Sequence, residues 1–398
     1  MSKPGARAME FKPVELADVC DKVSVGLASA VTPFIVPLGI KLIRNQNIRP
    51  NDFDGSSLIF IDPKFAASQP DKRVRRGDVV IVRTGANIGD ACVVPDDFDG
   101  AQTFTTLIAR PRPDLLVPEY LAQFINSPLG RSEVTRLMAG GGKGNLNSGQ
   151  LQRLRILLPH LADQKKIAGV LTLWDSALSI LKKSIGLRES RHLYHVSRLI
   201  NRSQHPKTTL STLARETSTR NRHCAYSRVL TVTNDRGFVL PEDHFGRPVA
   251  SEDLSNYKLI TKGQYAFNPS RINVGSIARL DKFETGVLSP MYVVFELDEK
   301  QIVSDYFLHW LGSHDAKEAI KNSAQGSVRE TVSFSQLAAT KIPIPTLHEQ
   351  SLIARYLNAI QAETNLLRNL SVNLQKQKKG LIQRLLLENG RSKNGWTR

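Results

Sequence analysis

The chain has 398 residues and carries 54 lysines and arginines against 37 aspartates and glutamates, a formal net charge of +17. Hydrophobic residues make up 41% of it, which is enough to build cores and excludes a chain that is disordered throughout. The length allows two or three domains. The positive charge favours a polyanionic partner, with nucleic acid as the first candidate and an anionic membrane surface as the second.

Cysteine usage and hydropathy bear on location and chemistry. The three cysteines, Cys20, Cys92 and Cys224, are single and scattered, which fits a reducing cytosol and argues against a zinc site. Residues 1–13 lack the apolar core of a secretory signal. The most apolar stretch, 27–40, is interrupted by two prolines and is too short to span a bilayer. We therefore expect a cytoplasmic protein.

The first predicted elements lie between residues 75 and 125. Residues 75–89, RRGDVVIVRTGANIG, are typical of a strand between two turns, and Gly77 and Gly89 suit those turns. Residues 117–125, VPEYLAQFI, indicate a short amphipathic helix with a candidate cap just before an acidic residue. Both features are explained as scaffold.

A long helix is predicted from about residue 160 to residue 200. Pro159 breaks the preceding strand and leads into it. Apolar residues then alternate four and three positions apart, at Ile167, Leu171, Trp174, Leu178, Leu181 and Ile185. The same register continues to Arg188 and His192, where the apolar seam weakens. This alternation is typical of a coiled coil.

The second half of the chain repeats the first at an offset of 186 residues. The matched positions pair Gly77, Asn87, Gly89, Tyr120, Gly140, Ile156, Pro159, Leu161, Gln164, Ile167, Ala168 and Leu171 with Gly263, Asn273, Gly275, Tyr306, Gly326, Ile342, Pro345, Leu347, Gln350, Ile353, Ala354 and Leu357. No gap is needed from Gly77 to Leu171, whereas residues 16–19 match residues 210–213 only after a shift of several positions. We therefore predict two units, each with a variable front part and a better-kept back part.

The second long helix follows Pro345 and carries the same kind of seam. Its positions are Ile353, Leu357, Ile360, Thr364, Leu367, Ser371, Leu374, Lys378, Leu381 and Leu385. Because a lone helix would leave this stripe in water, we predict that the two helices pair with each other within one chain, antiparallel. Packing of each helix on its own domain, or dimerisation between chains, is the alternative. An antiparallel pair would relate two DNA-reading domains by an approximate twofold axis and set the distance between two half-sites.

A basic protein that binds DNA could also cut, methylate or translocate it, and each of these activities requires its own motif. Residues 139–145, AGGGKGN, lack the hydroxyl residue that follows the lysine in a phosphate-binding loop. Residues 268–271, NPSR, lack the second proline and the aromatic of a DNA amino-methyltransferase. Asp281 with residues 298–300, DEK, is a weak match to the carboxylates and lysine of a metal nuclease. The equivalent positions in the first half of the chain do not carry these residue types. The sequence thus predicts a non-catalytic binding protein without a cofactor of its own.

Two segments resemble the hallmark of the specificity subunits of type I restriction–modification systems. They are residues 154–171, LRILLPHLADQKKIAGVL, and residues 340–357, TKIPIPTLHEQSLIARYL. In that family a segment of apolar residue, Pro, any residue, Leu, any residue, Glu-Gln opens a long helix twice per chain. The first copy departs from this pattern with Asp163 in place of Glu and Leu158 before the proline. The resemblance covers nearly the whole chain.

The resemblance implies an α+β fold with two mixed α/β target-recognition domains, two long antiparallel helices and an internal pseudo-twofold repeat. The expected parts are residues 1–159 and 201–345 as recognition domains, 160–200 and 346–390 as the helices, and 391–398 as a basic tail. Each domain would read one half of a split, asymmetric site on double-stranded DNA. Two methyltransferase subunits would dock on the helices, and restriction–translocase subunits would join them. S-adenosylmethionine, ATP and magnesium would then belong to these partners.

Basic and amide side chains near the turns are the candidates for DNA contact, since phosphates give affinity and base edges give specificity. In the first domain they are Lys72, Arg73, Arg75, Arg83, Lys143 and Asn145, and in the second Arg271, Gln325 and Arg329. Asn87 and Asn273 are identical in the two copies and are interpreted as turn formers. The seam residues Ile167, Leu171, Trp174, Leu178, Ile353, Leu357, Ile360 and Leu367 are the candidates for helix pairing and partner docking.

Two other functions stay open. A stand-alone DNA-binding or architectural protein would use the helices only for dimerisation and would bind DNA without partners. An enzyme with a fused nuclease would cleave DNA as an isolated chain in the presence of a metal ion.

Overall fold

The computed structural model describes residues 10–139, 144–202, 204–245, 253–324 and 331–388. The α-helices are α1 (Pro63–Ala67), α2 (Pro118–Asn126), α3 (Pro128–Ala139), α4 (Ser148–Gln152), α5 (Leu161–Val196), α6 (Leu210–Leu213), α7 (Pro241–Phe245), α8 (Ser304–Leu311), α9 (His314–Ala324), α10 (Phe334–Ala338) and α11 (Leu347–Ile382). Short π-helical segments, Ser197–Asn201 and Gln383–Glu388, extend α5 and α11.

The strands are mostly short. They are β1 (Lys12–Glu15), β2 (Cys20–Val25), β3 (Ile35–Val36), β4 (Ile40–Arg44), β5 (Ile48–Arg49), β6 (Asp52–Phe53), β7 (Ile59–Ile61), β8 (Val79–Val82), β9 (Ala91–Val93), β10 (Gln102–Phe104), β11 (Thr106–Pro111), β12 (Arg155–Leu158), β13 (Lys207–Thr209), β14 (Ala214–Thr217), β15 (Thr231–Thr233), β16 (Gly237–Val239), β17 (Lys258–Thr261), β18 (Tyr265–Phe267), β19 (Ile277–Arg279), β20 (Thr285–Leu288), β21 (Val293–Leu297) and β22 (Lys341–Pro343). The fold is therefore mixed α/β with two long helices, as predicted.

The chain divides into two compact units. Unit 1 comprises Met1–Lys183 and Asn369–Arg398, and unit 2 comprises Ser184–Arg368. Each unit therefore contains one α/β domain together with a segment of α5 and a segment of α11. The two copies recognised in the sequence correspond to these two domains.

The domain of unit 1 is built on the antiparallel sheet β2-β11-β8-β9. All four residues of β8 are buried, because this strand has neighbours on both sides and is covered on both faces. One face packs against α2 and the start of α5 through Tyr120 and Leu171. The front part adds a second sheet, β10-β4-β7-β3, in which β10 and β4 run parallel.

The domain of unit 2 repeats this plan with the sheet β14-β21-β18-β19. Its core is more aromatic, with Tyr265, Phe295 and Phe307 fully buried and in ring contact. The front part differs from that of unit 1 and consists of the two-stranded pairs β15–β16 and β17–β20. The variable front part and the kept back part predicted for each copy are thus confirmed.

The offset of 186 residues is visible in the local geometry. The helices α5 and α11 begin at Leu161 and Leu347. Gly77 and Gly263 have φ of 81° and 87°, in the left-handed region where a side chain would be strained. In the front part the register shifts, as expected. The Leu16 amide donates to the Leu154 carbonyl, and the Leu210 amide makes the equivalent bond to the Thr340 carbonyl. The two acceptors are 186 residues apart, whereas the two donors are not.

The helices α5 and α11 run antiparallel in each unit. In unit 2, Arg188 pairs with Glu363 at 2.6 Å, and the His195 ring nitrogen lies 3.1 Å from the Tyr356 hydroxyl. The second contact lies seven residues later than the first on α5 and seven residues earlier on α11, so the two helices run in opposite directions. In unit 1, the start of α5 shares a core with Leu386 near the end of the second helix. Pairing within one chain is therefore confirmed. No helix in the described part of the chain is long and apolar enough to cross a membrane.

Candidate nucleic-acid interface

Two loops meet at one end of β8 in unit 1. Thr84 and Asn145 form an isolated β-bridge, and the Leu146 amide donates to the Arg83 carbonyl at 3.1 Å. Asn45 at the end of β4 joins them, donating its side-chain amide to the Thr84 hydroxyl at 3.2 Å. The structure thus brings together Arg83 and Asn145 of the predicted residues. Lys143 lies outside the described residues.

The side chains of this cluster have unused hydrogen-bonding capacity. The Nε of Arg83 and the Oδ1 of Asn45 are buried and have no hydrogen-bond partner among the described residues. A buried polar group left without a partner costs about 1–3 kcal/mol. Sequence reasoning missed Asn45, because it lies in the variable front part and approaches Thr84 only through the fold.

The other predicted cations of unit 1 lie at the opposite end of β8. Arg75 precedes the strand, and its backbone amide donates to Asp78 at 2.8 Å. The Lys72 ammonium donates to the Val25 carbonyl at 3.2 Å, and Arg73 forms a β-bridge with Gln102. The structure does not join these three residues to Arg83. Because β8 separates the two groups, they could contact the same DNA only at different places.

Unit 2 repeats the loop pairing with different side chains. The Val332 amide donates to the Pro269 carbonyl at 3.0 Å, at the positions equivalent to Leu146 and Arg83. Arg271 follows in the same loop and is exposed. Gln325 and Arg329 lie outside the described residues. Asn87 and Asn273 are exposed in the turns that follow each loop.

A shared set of hydrogen bonds fixes each domain to its long helix. Gln164 on α5 is fully buried, accepts from the Val117 amide at 2.9 Å and donates to the Leu115 and Pro159 carbonyls. Gln350 on α11 makes the equivalent three bonds to Val303, Gln301 and Pro345. The local cap predicted for α2 is wrong, since this helix has no side-chain cap, and neither does its equivalent α8. The buried glutamine of the long helix satisfies the amide of the N-cap residue instead.

The predicted seam residues line the contact face of the long helices. Ile167, Leu171, Leu357 and Ile360 are at most 8% exposed. Trp174, Leu178, Ile353 and Leu367 are half-buried, whereas most residues between the seam positions are exposed.

The polar groups at the seam differ between the units at equivalent positions. In unit 1, Asp175 on α5 accepts from Lys378 and from the Gln123 side chain. In unit 2 the equivalents of Gln123 and Lys378 are His309 and His192, whose ring nitrogens lie 3.2 Å apart. His309 also lies 2.8 Å from the Asn358 side-chain oxygen. The two helix pairs are thus joined by different chemistry.

The histidine pair has an unusual electrostatic setting. Burial lowers the pKa of His309, although the hydrogen bond to Asn358 and the nearby Asp305 act against this. Burial and then the charge of His309 lower the pKa of His192. Burial alone would raise the pKa of Asp305, but hydrogen bonds from Arg279 and Asn358 outweigh it and lower that pKa. Both imidazoles are therefore favoured in their neutral form.

A second apolar stripe lies one position before the seam and is exposed. In unit 1 it includes Leu173 and Ile180, which are 72% and 65% exposed. In unit 2 it includes Leu187 on α5, 72% exposed, and Leu352 and Leu366 on α11, 46% and 70% exposed. One residue is a rotation of about 100° on an α-helix. Because α5 and α11 run antiparallel, a shift of one residue from the seam turns the exposed residues of both helices towards the same side of the helix pair.

The described residues hold no group of three or more histidine, cysteine, aspartate or glutamate side chains that could bind a metal ion. Asp298 of the weak nuclease match accepts from the Lys300 amide and the Gln301 side chain and so stabilises a turn. Asp281 is paired with Arg279 at 2.6 Å.

Comparison with known proteins gives one consistent result. The sequence profile of the type I restriction modification DNA specificity domain matches residues 9–186 and again residues 251–376. The two matches fall in the two copies of the repeat and together cover more than half of the chain.

Individual relatives agree with the profile. The type I restriction enzyme StySPI specificity subunit of Salmonella potsdam is 27% identical over 132 residues, which are 32% of this chain and 28% of that relative's length. A Methanocaldococcus jannaschii chain with the provisional name of type I restriction enzyme MjaX specificity subunit is 20% identical over 94% of this chain and 92% of its own. The crystal structure of the S subunit of a type I restriction–modification system from M. genitalium superposes with a TM-score of 0.60 at 12% identity, covering 96% of this chain and 98% of that one.

Proposed function

Because the chain belongs to the family of type I restriction–modification DNA specificity domains, we propose that it reads a split, asymmetric DNA site, with one half-site for each recognition domain. Specificity subunits of these systems are non-catalytic DNA-recognition subunits. The observation that carries the proposal is the duplicated loop pairing, Arg83 with Leu146 and Pro269 with Val332, on one scaffold with different side chains. A scaffold repeated twice with different loops is suited to reading two different sequences.

The differences between the loops are specific. Arg83, Gly85 and Asn145 in unit 1 are replaced at the equivalent positions by Pro269, Arg271 and Thr331 in unit 2. Arginine and asparagine are the residues that best distinguish guanine and adenine in the major groove. We assign Arg83 and Asn145 to the first half-site and Arg271 to the second.

The exposed stripes are the surfaces on which methyltransferase subunits would dock, one on each unit. Their residues are large, apolar and spaced for packing against a further helix, whereas the seam residues are already buried in the helix pair. Two such stripes suit two methyltransferase subunits, which restriction–translocase subunits would join. S-adenosylmethionine, ATP and magnesium would be bound by these partners.

The DNA assignment is tested by binding of the full chain, assembled with its methyltransferase partner, to a library of duplexes. We expect a bipartite motif. Arg83→Ala should relax one half of it and Arg271→Ala the other, each at a cost of about 1–3 kcal/mol for the preferred base pair. If either variant weakens all duplexes equally, that arginine contacts phosphate; if neither has an effect, the assignment is wrong.

The docking surface is tested separately by co-purification of the methyltransferase subunit. Leu173→Glu and Leu366→Glu should each remove one of two bound subunits. Gln375→Glu, at an exposed position of α11, is the matched control and should leave both methyltransferase subunits bound. Full specific binding by the chain without any partner would favour the stand-alone DNA-binding protein.

A further inference from the structure

Unit 2 contains a large cavity between its domain and its part of the helix pair. Its volume is about 770 Å³, and its walls include the loop 234–238, the turn 272–275, helix α9 and His192 on α5. Asn273 and Gly275, which belong to the repeated turn, form part of the wall. The cavity therefore begins at the residue that directly follows Arg271.

The charged lining of this cavity is mainly cationic. Arg279 is neutralised by Asp281 and Asp305, each at 2.6 Å. Arg236, Lys282 and Lys317 also line the cavity and are exposed. The carboxylate paired with Arg236 is that of Asp235 at 4.0 Å, and the guanidinium also donates to the Asp243 carbonyl at 3.4 Å and lies 3.2 Å from the His244 ring. Neither lysine has a carboxylate within 4.0 Å among the described residues. Three cations with little compensation thus face one open space.

The corresponding place in unit 1 has the opposite character. A smaller cavity of about 330 Å³ is lined by Ala122 and Gln123, the equivalents of Leu308 and His309, which line the unit 2 cavity. Its described lining includes Asp52 and Glu119 and contains no lysine or arginine. The residue equivalent to Lys317 is Arg131, which donates instead to Asp90 and to the Ile88 carbonyl. The shared scaffold therefore does not require these cations, and they are a property of unit 2.

We propose that the unit 2 cavity binds phosphate groups of the DNA backbone beside the half-site that this unit reads, with Arg236, Lys282 and Lys317 as the phosphate ligands. The inference rests on the proposed DNA recognition and adds a backbone contact that unit 1 lacks at the same place. The cations are exposed at the edge of an open cavity that begins directly after Arg271, which favours a strand passing along it over a small enclosed anion. Phosphate contacts position a protein on DNA without reading its sequence.

The test compares the salt dependence of DNA binding in three forms of the full chain, each in the complex that binds DNA. They are the wild type, the triple variant Arg236→Ala, Lys282→Ala, Lys317→Ala, and a control, Lys207→Ala, Lys300→Ala, Lys341→Ala. The control removes the same charge from exposed sites of unit 2 outside the cavity. Binding to the selected duplex is measured by fluorescence anisotropy between about 50 and 200 mM salt.

The slope of log K against log salt should fall by about 0.9 for each lost phosphate contact, hence by about 2–3 in the triple variant and by less than 1 in the control. Affinity should fall equally for all duplexes, with the preferred motif unchanged. An unchanged slope, a slope change equal to that of the control, or a changed motif would overturn the inference. So would loss of the methyltransferase subunit with unchanged DNA binding, which would identify the cavity as a protein-docking site. If the wild type shows no sequence preference, it is the proposed function that fails.

Discussion

Gln350 offers the sharpest test of how each domain is fixed to its long helix. Its side chain is fully buried, accepts from the Val303 amide at 2.8 Å and donates to the Gln301 and Pro345 carbonyls at 3.1 and 3.0 Å. Gln350→Met keeps the length and most of the volume of the side chain but removes all three bonds. It also leaves a buried amide and two carbonyls without these partners.

The expected cost follows from these bonds. Each typical hydrogen bond contributes about 0.5–1.5 kcal/mol, and a buried donor left without a partner costs about 1–3 kcal/mol. We therefore expect the free energy of unfolding of unit 2 to fall by about 3–5 kcal/mol. Gln375→Met is the matched control, because Gln375 lies exposed on the same helix; it should change stability by less than about 0.5 kcal/mol.

The assay is urea unfolding followed by fluorescence. Trp310 is only 2% exposed within the core of unit 2, and it reports on that unit alone when Trp174 and Trp396 are replaced by phenylalanine in all the chains compared. The variant should show a lower midpoint in urea with an unchanged slope, which identifies a loss of stability rather than a change in the unfolded state. A loss below about 1 kcal/mol, or one no larger than in the control, would refute the role assigned to Gln350.

Further predictions concern polar groups that are buried or half-buried. Because burial lowers the pKa of both His309 and His192, the unfolded chain binds protons more readily than the folded chain, and stability should be lost as pH falls through and below 6.5. His309→Gln introduces the residue found in unit 1 and should make stability less dependent on pH, as measured by urea midpoints at several pH values. Lys378→Met should destabilise unit 1 by about 1–3 kcal/mol by leaving Asp175 without its cation, and adding Asp175→Leu should recover most of the loss in a double-mutant cycle. Glu133→Gln should lower the thermal midpoint, because this buried carboxylate binds both Arg136 and Arg155, whereas an additive effect of Glu133→Gln with Arg136→Ala would contradict their coupling.

The back part of each unit could be predicted in detail because its signals are local. The four-three seam, the prolines before the helices and the glycines at turns each act within a few residues, and the repeat allowed each signal to be read twice. Two further local signals were present and missed. Asn147 with Gln150, and Ser333 with Gln336, form capping boxes that begin α4 and α10 at equivalent positions.

The rest depends on contacts between distant segments. Gln164 and Gln350 were recognised as identical, but their bonds reach backbone groups 47 and 49 residues away, which no local pattern specifies. The parallel pairing of β10 with β4 likewise joins strands that lie far apart in sequence. For the interface, the predicted Arg83 and Asn145 are brought together, whereas Lys72, Arg73 and Arg75 lie at the other end of β8. The cations around the unit 2 cavity come from three separate segments and gave no sequence motif.

Sequencing of DNA methylation in the host genome, with and without this gene, would show whether each domain reads one half-site. We expect a methylated motif of two specified half-sites separated by unspecified bases, and this motif should disappear when the gene is deleted. Exchange of residues 204–345 for those of a relative with a different site should replace one half of the motif and leave the other intact. If the deletion leaves methylation unchanged, or if the exchange alters both halves of the motif, the proposal that each domain reads one half-site is wrong.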